Sequence, residues 1–365
     1  MTTADSVATF REVATVPVGP GPHLHLGYVK PTGQIWVSDG GGNSITVLDH
    51  RTGELLDTWR IGAGPAHFSF DPTCDRGLVA LREADQAAIV DPRRRTVLAR
   101  VDLPAGSRPT GTMPAFDRGL VYTLNQGNAT ATAIDIATAT VHTTVPVGGQ
   151  PMWGQPWGAS YKPITKPVGK TYVVSTESDS VTVLHDHTNQ VLTTIEVGSR
   201  PNRNAVFREH HQIYVSNEGD DTVSIISIAE DRVVATVPVE HRPFRMLPVA
   251  AISGRDEMWV LHAQPATAGI VAIDGANRTV SRTVATVADP ANWVVSPEKR
   301  LFIVAATQRR MQVIDLPADR ELASVELSHD PAPGAISGLI FTAARTLFVL
   351  NDDNTVSLFR DDVDD

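Results

Sequence analysis

The segment from Arg200 to Pro243, RPNRNAVFREHHQIYVSNEGDDTVSIISIAEDRVVATVPVEHRP, ends on the Arg-Pro pair with which it begins. Within it IYVSN, VSII and VVATVPV are runs of β-branched and aromatic residues, and the Gly, Asn and Asp between them mark turns. Four short strands joined by three hairpins in about forty residues describe one blade of a β-propeller. Such a sheet cannot bury both of its apolar faces alone, so a neighbour must stack on each side.

The same grammar runs along the whole chain. The second strand of the unit, an aromatic or aliphatic residue followed by Val, any residue and Asn or Asp, recurs as IWVSD (35–39), LVALR (78–82), VYTLN (121–125), TYVVST (171–176), IYVSN (213–217), MWVLH (258–262), FIVAA (302–306) and FVLN (348–351). Each is followed by a third strand, from SITVLD (44–49) to TVSLF (355–359), but only seven fourth strands follow a third. The missing one lies at the other end of the chain, where REVATVPVG (11–19) nearly copies RVVATVPVE (232–240). The expectation is therefore all-β: an eight-bladed β-propeller of four-stranded antiparallel blades, one domain over residues 1–365. A strand at about 11–19 completes the C-terminal blade over 333–360. Closing the ring hides the two edges that an open array would expose to aggregation. Successive inter-blade prolines are mostly 41 to 44 residues apart. The fourth unit is longer, with GQPMWGQPWGASYKPITKPVGK ahead of its second strand. An insertion in a repeat commonly sits on the binding face.

Composition excludes several classes of function. A net charge of −10 argues against nucleic acid and anionic membrane as partners, since both need a basic face. No run approaches the eighteen apolar residues of a membrane span. The first residues lack the basic and apolar regions of a secretory signal, which points to a cytoplasmic protein. A single cysteine, Cys74, rules out an internal disulfide and any CxxC metal or redox motif.

IYVSN followed by DDTVSII, VVATVPV and RP resembles the YVTN family of β-propeller repeats, and eight units are similar to the propeller of cytochrome d1 and its relatives. The resemblance covers essentially the whole chain and is specific for fold but not for function. Members include haem-d1 proteins, surface-layer proteins and small-molecule enzymes. The chain has no CxxCH, so the nitrite reductase activity that accompanies a c-type haem domain is not expected.

In a propeller the loop entering each first strand and the turn between second and third strands open on one face around the axis, so their residues should converge. His23 and His25 sit at i and i+2 and can share an ion, and His67 stands at the next blade's entrance. These three suit Zn²⁺, Cu²⁺ or Fe²⁺, polarising a substrate or activating water; the bland alternative is that they hydrogen-bond loop backbone. His262 replaces the usual Asn in MWVLH and can be a general base or a ligand, unless that turn residue is simply variable, as Arg82, Thr176 and Ala306 suggest. RPNR and RPFR place Arg203 and Arg245 near the axis as carboxylate or phosphate forks, while Arg200 and Arg242 can pair with acids such as Glu218. Asn217 and Asn292 belong to the same convergent set. Trp153, Trp157 and Trp293 form either an aromatic wall or inter-blade packing. His185 and His187 end a third strand and are read as surface residues.

These features favour a small-molecule enzyme of lyase, isomerase or hydrolase type acting on an anionic or polar organic substrate, with His25, His67 and His262 catalytic. Arg203, Arg245, Trp153, Trp293 and Asn217 bind the substrate, and a divalent metal rests on His23, His25 and His67. The alternatives are a non-enzymatic tetrapyrrole or metal-binding protein resembling haem-d1 assembly proteins, and a protein-interaction scaffold.

Overall fold

The computed structural model describes residues 10–22, 25–156, 169–239, 242–262, 269–287, 290–305, 307–332 and 338–361, without the side chains of 153–156 and 361. These residues form eight four-stranded antiparallel sheets. Seven take their strands in chain order. The eighth is ordered with Phe10–Pro17 outermost, against Thr355–Asp361, then Thr346–Leu350 and Leu339–Phe341. Phe10 pairs with Asp361 and Pro17 with Thr355, so the N-terminal strand closes the ring as its likeness to the fifth blade's outer strand implies. Glu12 secures this joint, accepting from the Ser357 hydroxyl at 2.9 Å and from the Ser328 amide of blade 7 at 3.3 Å.

Blade 5 shows how the repeat becomes structure. Its strands are Pro201–Phe207, Gln212–Asn217, Thr222–Ser227 and Arg232–Pro238. The aromatic of the second strand is the inter-blade wedge: Trp36, Tyr122, Tyr172, Tyr214, Trp259, Phe302 and Phe348 are all fully buried. Each removes roughly 150 Å² or more from water, about 4 kcal/mol of transfer free energy at about 25 cal/mol per Å². Two of the tyrosine wedges also donate from their hydroxyls to the next blade, Tyr122 to Asn189 and Tyr172 to Asp231, the latter at 2.8 Å. The Asn at the strand's end has a different task. Asn217 donates to Thr222 and Ser224 at 2.8 and 2.9 Å, and Asn125 and Asn351 repeat this on their own third strands.

The first strands of neighbouring blades touch one another, which places them at the narrowest radius, around the axis. The last strands carry the exposed aliphatics such as Leu55, Leu98 and Leu192 at the perimeter. Two repeated devices aim the inner strands. The residue before the inter-blade proline adopts a positive φ, from 43° to 62° at Gly64, Arg108, Gln150, Arg200 and Arg242, a conformation that non-glycine residues adopt only when something holds it. Here the holder is an Asp or Asn of the preceding blade. Asp85, Asp179 and Asp221 accept from the amides of Arg108, Arg200 and Arg242, each at 2.7 Å, and Asn43 accepts from Gly64 at 2.9 Å. The second device is a bulge directly after the proline in the inner strands of blades 2 to 7. Bulges re-aim side chains, and this one recurs at the axial entrance. Among the described residues no helix is long and apolar enough to cross a membrane.

Candidate functional site

In blades 2 to 7 the bulge defines an axial slot, and the same register position marks its counterpart in blades 1 and 8. In blade 5 it holds Arg203, opposite Ser216, with its amide donating to the Ser216 hydroxyl at 3.2 Å. In blade 1 His25 occupies the same slot, opposite Ser38, with the same amide-to-hydroxyl bond at 3.1 Å. His67, Gly111, Trp153, Arg245 and Asn292 fill the slots of blades 2, 3, 4, 6 and 7, and Gly338 lies opposite Leu350 in blade 8. With eight blades, blades 1 and 5 face each other across the axis, as do blades 2 and 6. Two imidazoles therefore stand opposite two guanidiniums.

The rings of His25 and His67 are in contact, with centroids 3.9 Å apart and planes at 42°, and Phe68 meets His25 edge-on. Burial pushes the His25 pKa well down, helped by His67 and the Arg245 charge. Burial and the Arg203 charge bring His67 to about 3. Both rings are neutral at physiological pH. His67 Nδ1 lies 2.6 Å from the Thr112 hydroxyl of blade 3, which in turn lies 2.6 Å from the Ser69 hydroxyl. On the facing wall Arg203 is only 7% exposed. Burial lowers the pKa of Arg203 to about 10 and, together with the Arg203 charge, that of Arg245 to about 9. Both remain charged. Glu218 partly offsets this positive field at Arg203, while also accepting from Asn202 at 3.1 Å and from Arg242. Glu218 is thus shared among Arg203, Asn202 and Arg242.

No family model matches the chain. Over 81 residues it is 37% identical to protein NirF of Pseudomonas aeruginosa; the match covers 21% of this chain, and the chain spans about a fifth of the length of that curated relative. Among solved structures, the computationally designed Ika8 protein superposes with a TM-score of 0.72 at 13% identity, covering 96% of this chain and 99% of the other. The dihydro-haem d1 dehydrogenase NirN, in complex with DHE, superposes with a TM-score of 0.66 at 14% identity over 92% of this chain and 72% of NirN. In fold the chain is an eight-bladed β-propeller. Hydrazine synthase of Kuenenia stuttgartiensis shares the architecture at a TM-score of 0.59 and 16% identity, over 82% of this chain and 96% of that one.

In this propeller the axial slots bring together His25, His67, Arg203 and Arg245. His262 stands elsewhere: it pairs with Pro243 as Asn217 pairs with Pro201, so it is the blade 6 version of the strand-end Asn and is 3% exposed. Asn217 itself spends both amide protons on Thr222 and Ser224. Trp293 packs at the seam of blades 6 and 7, and the slot beside it belongs to Asn292, 2% exposed. His23, Trp157, the fourth-unit insertion from 157 to 168 and the Trp153 side chain lie outside the described residues. Among the described residues no group of three His, Cys, Asp or Glu is arranged to hold a metal. Arg242 bonds Glu218 at the rim. His185 caps its own turn, Nδ1 accepting from the amides of His187 and Thr188 at 3.2 and 3.3 Å, as Asp49 caps the turn at Arg51 and Thr52. Thr112 and Ser69 were not anticipated. Their signal is positional: Thr112 stands three residues after Pro109, on the side of the inner strand that faces the preceding blade.

Proposed function

We propose that the axial site binds a haem-type tetrapyrrole through its acidic side groups, Arg203 and Arg245 taking carboxylates while His67 and His25 face the metal centre. The observation that carries this reading is the opposition of two buried guanidiniums and two neutral imidazoles in equivalent slots of one ring. A buried pair of like charges repels, and an anion between them relieves both that repulsion and the lost hydration, which costs several kcal/mol per ion. A neutral imidazole whose far nitrogen is already hydrogen-bonded is the usual form of an iron-ligating histidine. When bound, the macrocycle would supply the redox or ligand chemistry; the chain's part is to orient it, screen it and neutralise its acids. The fold shared with NirN supports the choice of ligand class.

A haemin titration of the purified protein followed at the Soret band tests this. Saturable binding is expected at one equivalent. Arg203→Ala with Arg245→Ala should weaken it by about 100-fold or more, each charge-assisted contact being worth about 1.5–3 kcal/mol. Absence of a saturable shift overturns the reading.

The contact between His25 and His67 also favours a second reading, an acid–base enzyme of lyase, isomerase or hydrolase type acting on a smaller organic anion. That version predicts loss of turnover in His67→Ala with no Soret-active ligand present. A bare Zn²⁺, Cu²⁺ or Fe²⁺ ion on His25 and His67 calls on His23 as third ligand, and substoichiometric metal after supplementation would remove it.

A further inference from the structure

Away from the axis, at its seam with blade 6, blade 7 departs from the pattern of blades 3 and 5. Ala305 pairs with Pro290 as Asn217 pairs with Pro201 and Asn125 with Pro109, so the strand-end amide is missing. On the third strand Arg310 and Gln312 pair with Glu326 and Ser324 as Thr222 and Ser224 pair with Pro238 and Thr236. Both hydroxyls that the amide serves elsewhere are therefore replaced by long polar side chains. The loop entering the blade has changed in step. Gly19 and Gly198 donate their amides to Thr46 and Ser224 at 3.3 Å, and a Cβ on either would come within 2.7 and 2.4 Å of Asp39 and Asn217. Val287 makes the same bond, to Gln312 Oε1 at 3.0 Å, and the short Ala305 leaves room for its side chain.

A cavity of about 280 Å³ lies at this seam. Its wall includes Thr286, Val287 and Gln312, each 8% exposed or less, and Gln312 is also fixed at its amide nitrogen, which donates to Glu321 Oε2 at 2.6 Å. The mouth is formed by Gln308, Arg310, Glu321 and Ser324, all exposed. Among the described residues Arg310 makes no hydrogen bond or ion pair, either with Glu321 or with Glu326 opposite it. Glu321 pairs with Ile314, four residues along the strand from Arg310, about 13 Å at about 3.3 Å per residue. The two charges thus reach the cavity from opposite ends. A simple anion there meets Glu321 and a simple cation meets Arg310, so a molecule bearing both signs suits the two ends together. The amides and hydroxyls between them reward a polar body. We propose that this cavity binds a small zwitterion of the free α-amino acid class, Arg310 taking the carboxylate and Glu321 the ammonium, with Gln308 and Ser324 meeting a polar side chain. Its volume lies at the lower end of ligand cavities, about 300 Å³, which suits a molecule of that size. The site is separate from the axial one and does not depend on it.

Calorimetric titration of the purified protein with L-serine and L-glutamine tests the proposal, with acetate and methylammonium as probes that carry one charge each. Saturable binding of at least one of the amino acids is expected, tighter than either single-charge probe by about tenfold or more. Arg310→Ala and Glu321→Gln should each weaken it by about tenfold or more, the loss of one charge-assisted contact. Both residues are exposed, so neither variant threatens the fold. Arg203→Ala with Arg245→Ala should leave the amino-acid affinity unchanged, which separates this cavity from the axial guanidiniums. Three outcomes would overturn the proposal: no saturable binding of either amino acid, acetate or methylammonium bound as tightly, or an affinity indifferent to both Arg310→Ala and Glu321→Gln.

Discussion

The wall formed by blades 1 and 2 and the wall formed by blades 5 and 6 use the same register position of the inner strand. Each slot follows an inter-blade proline, and in blades 2, 5 and 6 the residue before that proline, Gly64, Arg200 or Arg242, is held at positive φ. Yet one wall is neutral and the other charged. Burial acts on both in the same direction, against the ionised form. For an imidazole that starts at 6.5 the effect abolishes the charge, whereas for a guanidinium that starts at 12.5 it leaves the charge in place at about 9 or 10. A repeat can therefore build a polar, two-sided receptor by changing single residues at one register position. The scaffold pays for the aim, and the side chains choose the chemistry.

The sharpest way to break the comparison is to erase one wall's identity. Arg203→His with Arg245→His should leave four neutral imidazoles around the axis, and the affinity for a carboxylate-bearing ligand should fall by about 100-fold or more, as for the alanine pair, since the charge is what is lost. The fold should persist, because His25 and His67 already occupy this slot. Retained affinity, measured by the same haemin titration, would mean that shape and not charge binds the ligand.

Acid provides a smaller test of the neutral wall. An unfolded histidine titrates near 6.5, whereas His67 in the fold does so at about 3. The unfolded chain therefore takes up the proton first. The stability that depends on neutral His67 is complete above pH 6.5 and is lost as the pH falls from 6.5 towards 3. Urea unfolding of His67→Gln should show a shallower acid loss than the wild type in this window, the slopes differing by up to about 1.4 kcal/mol per pH unit. Arg203→Gln should act through the same group. Without that charge the His67 pKa rises, so the loss ends at a higher pH. Parallel slopes in wild type and His67→Gln would show that His67 is solvated after all.

Most of the fold could be read from the residues because a repeat states its own length, strand order and closure, and the copy of the fifth outer strand at 11–19 disclosed where the ring is joined. The centre was legible only in part. Prolines located the slot, which is why His25, His67, Arg203 and Arg245 were found together. What composition cannot convey is the bulge, a matter of backbone pairing, and the bulge decides that Asn292 and not Trp293 takes the slot in blade 7. The same limit hid Thr112, whose meaning depends on the blade before it. His262 and Asn217 illustrate the converse. Both end a second strand, and at Asn217 that position serves the third strand of its own blade, a task repeated by Asn125 and Asn351.

That distinction between the axial slot and the strand-end position yields the smallest expected effect. Asn217 is fully buried and donates to both Thr222 and Ser224, so Asn217→Ala leaves two interior hydroxyls short of a partner and should cost about 1–3 kcal/mol in unfolding free energy. Both of its amide protons are spent inside blade 5, and ligand affinity should stay within about twofold of wild type. Arg203→Ala, one strand away, should do the reverse: it removes a buried cation whose desolvation opposes folding, so affinity drops while stability holds or rises. Measuring both variants by denaturant unfolding and by titration places the two positions on separate axes. If Asn217→Ala instead weakened binding as Arg203→Ala does, with unfolding unchanged, the ligand would be resting on the strand ends, and the ring of bulge positions would not be the receptor.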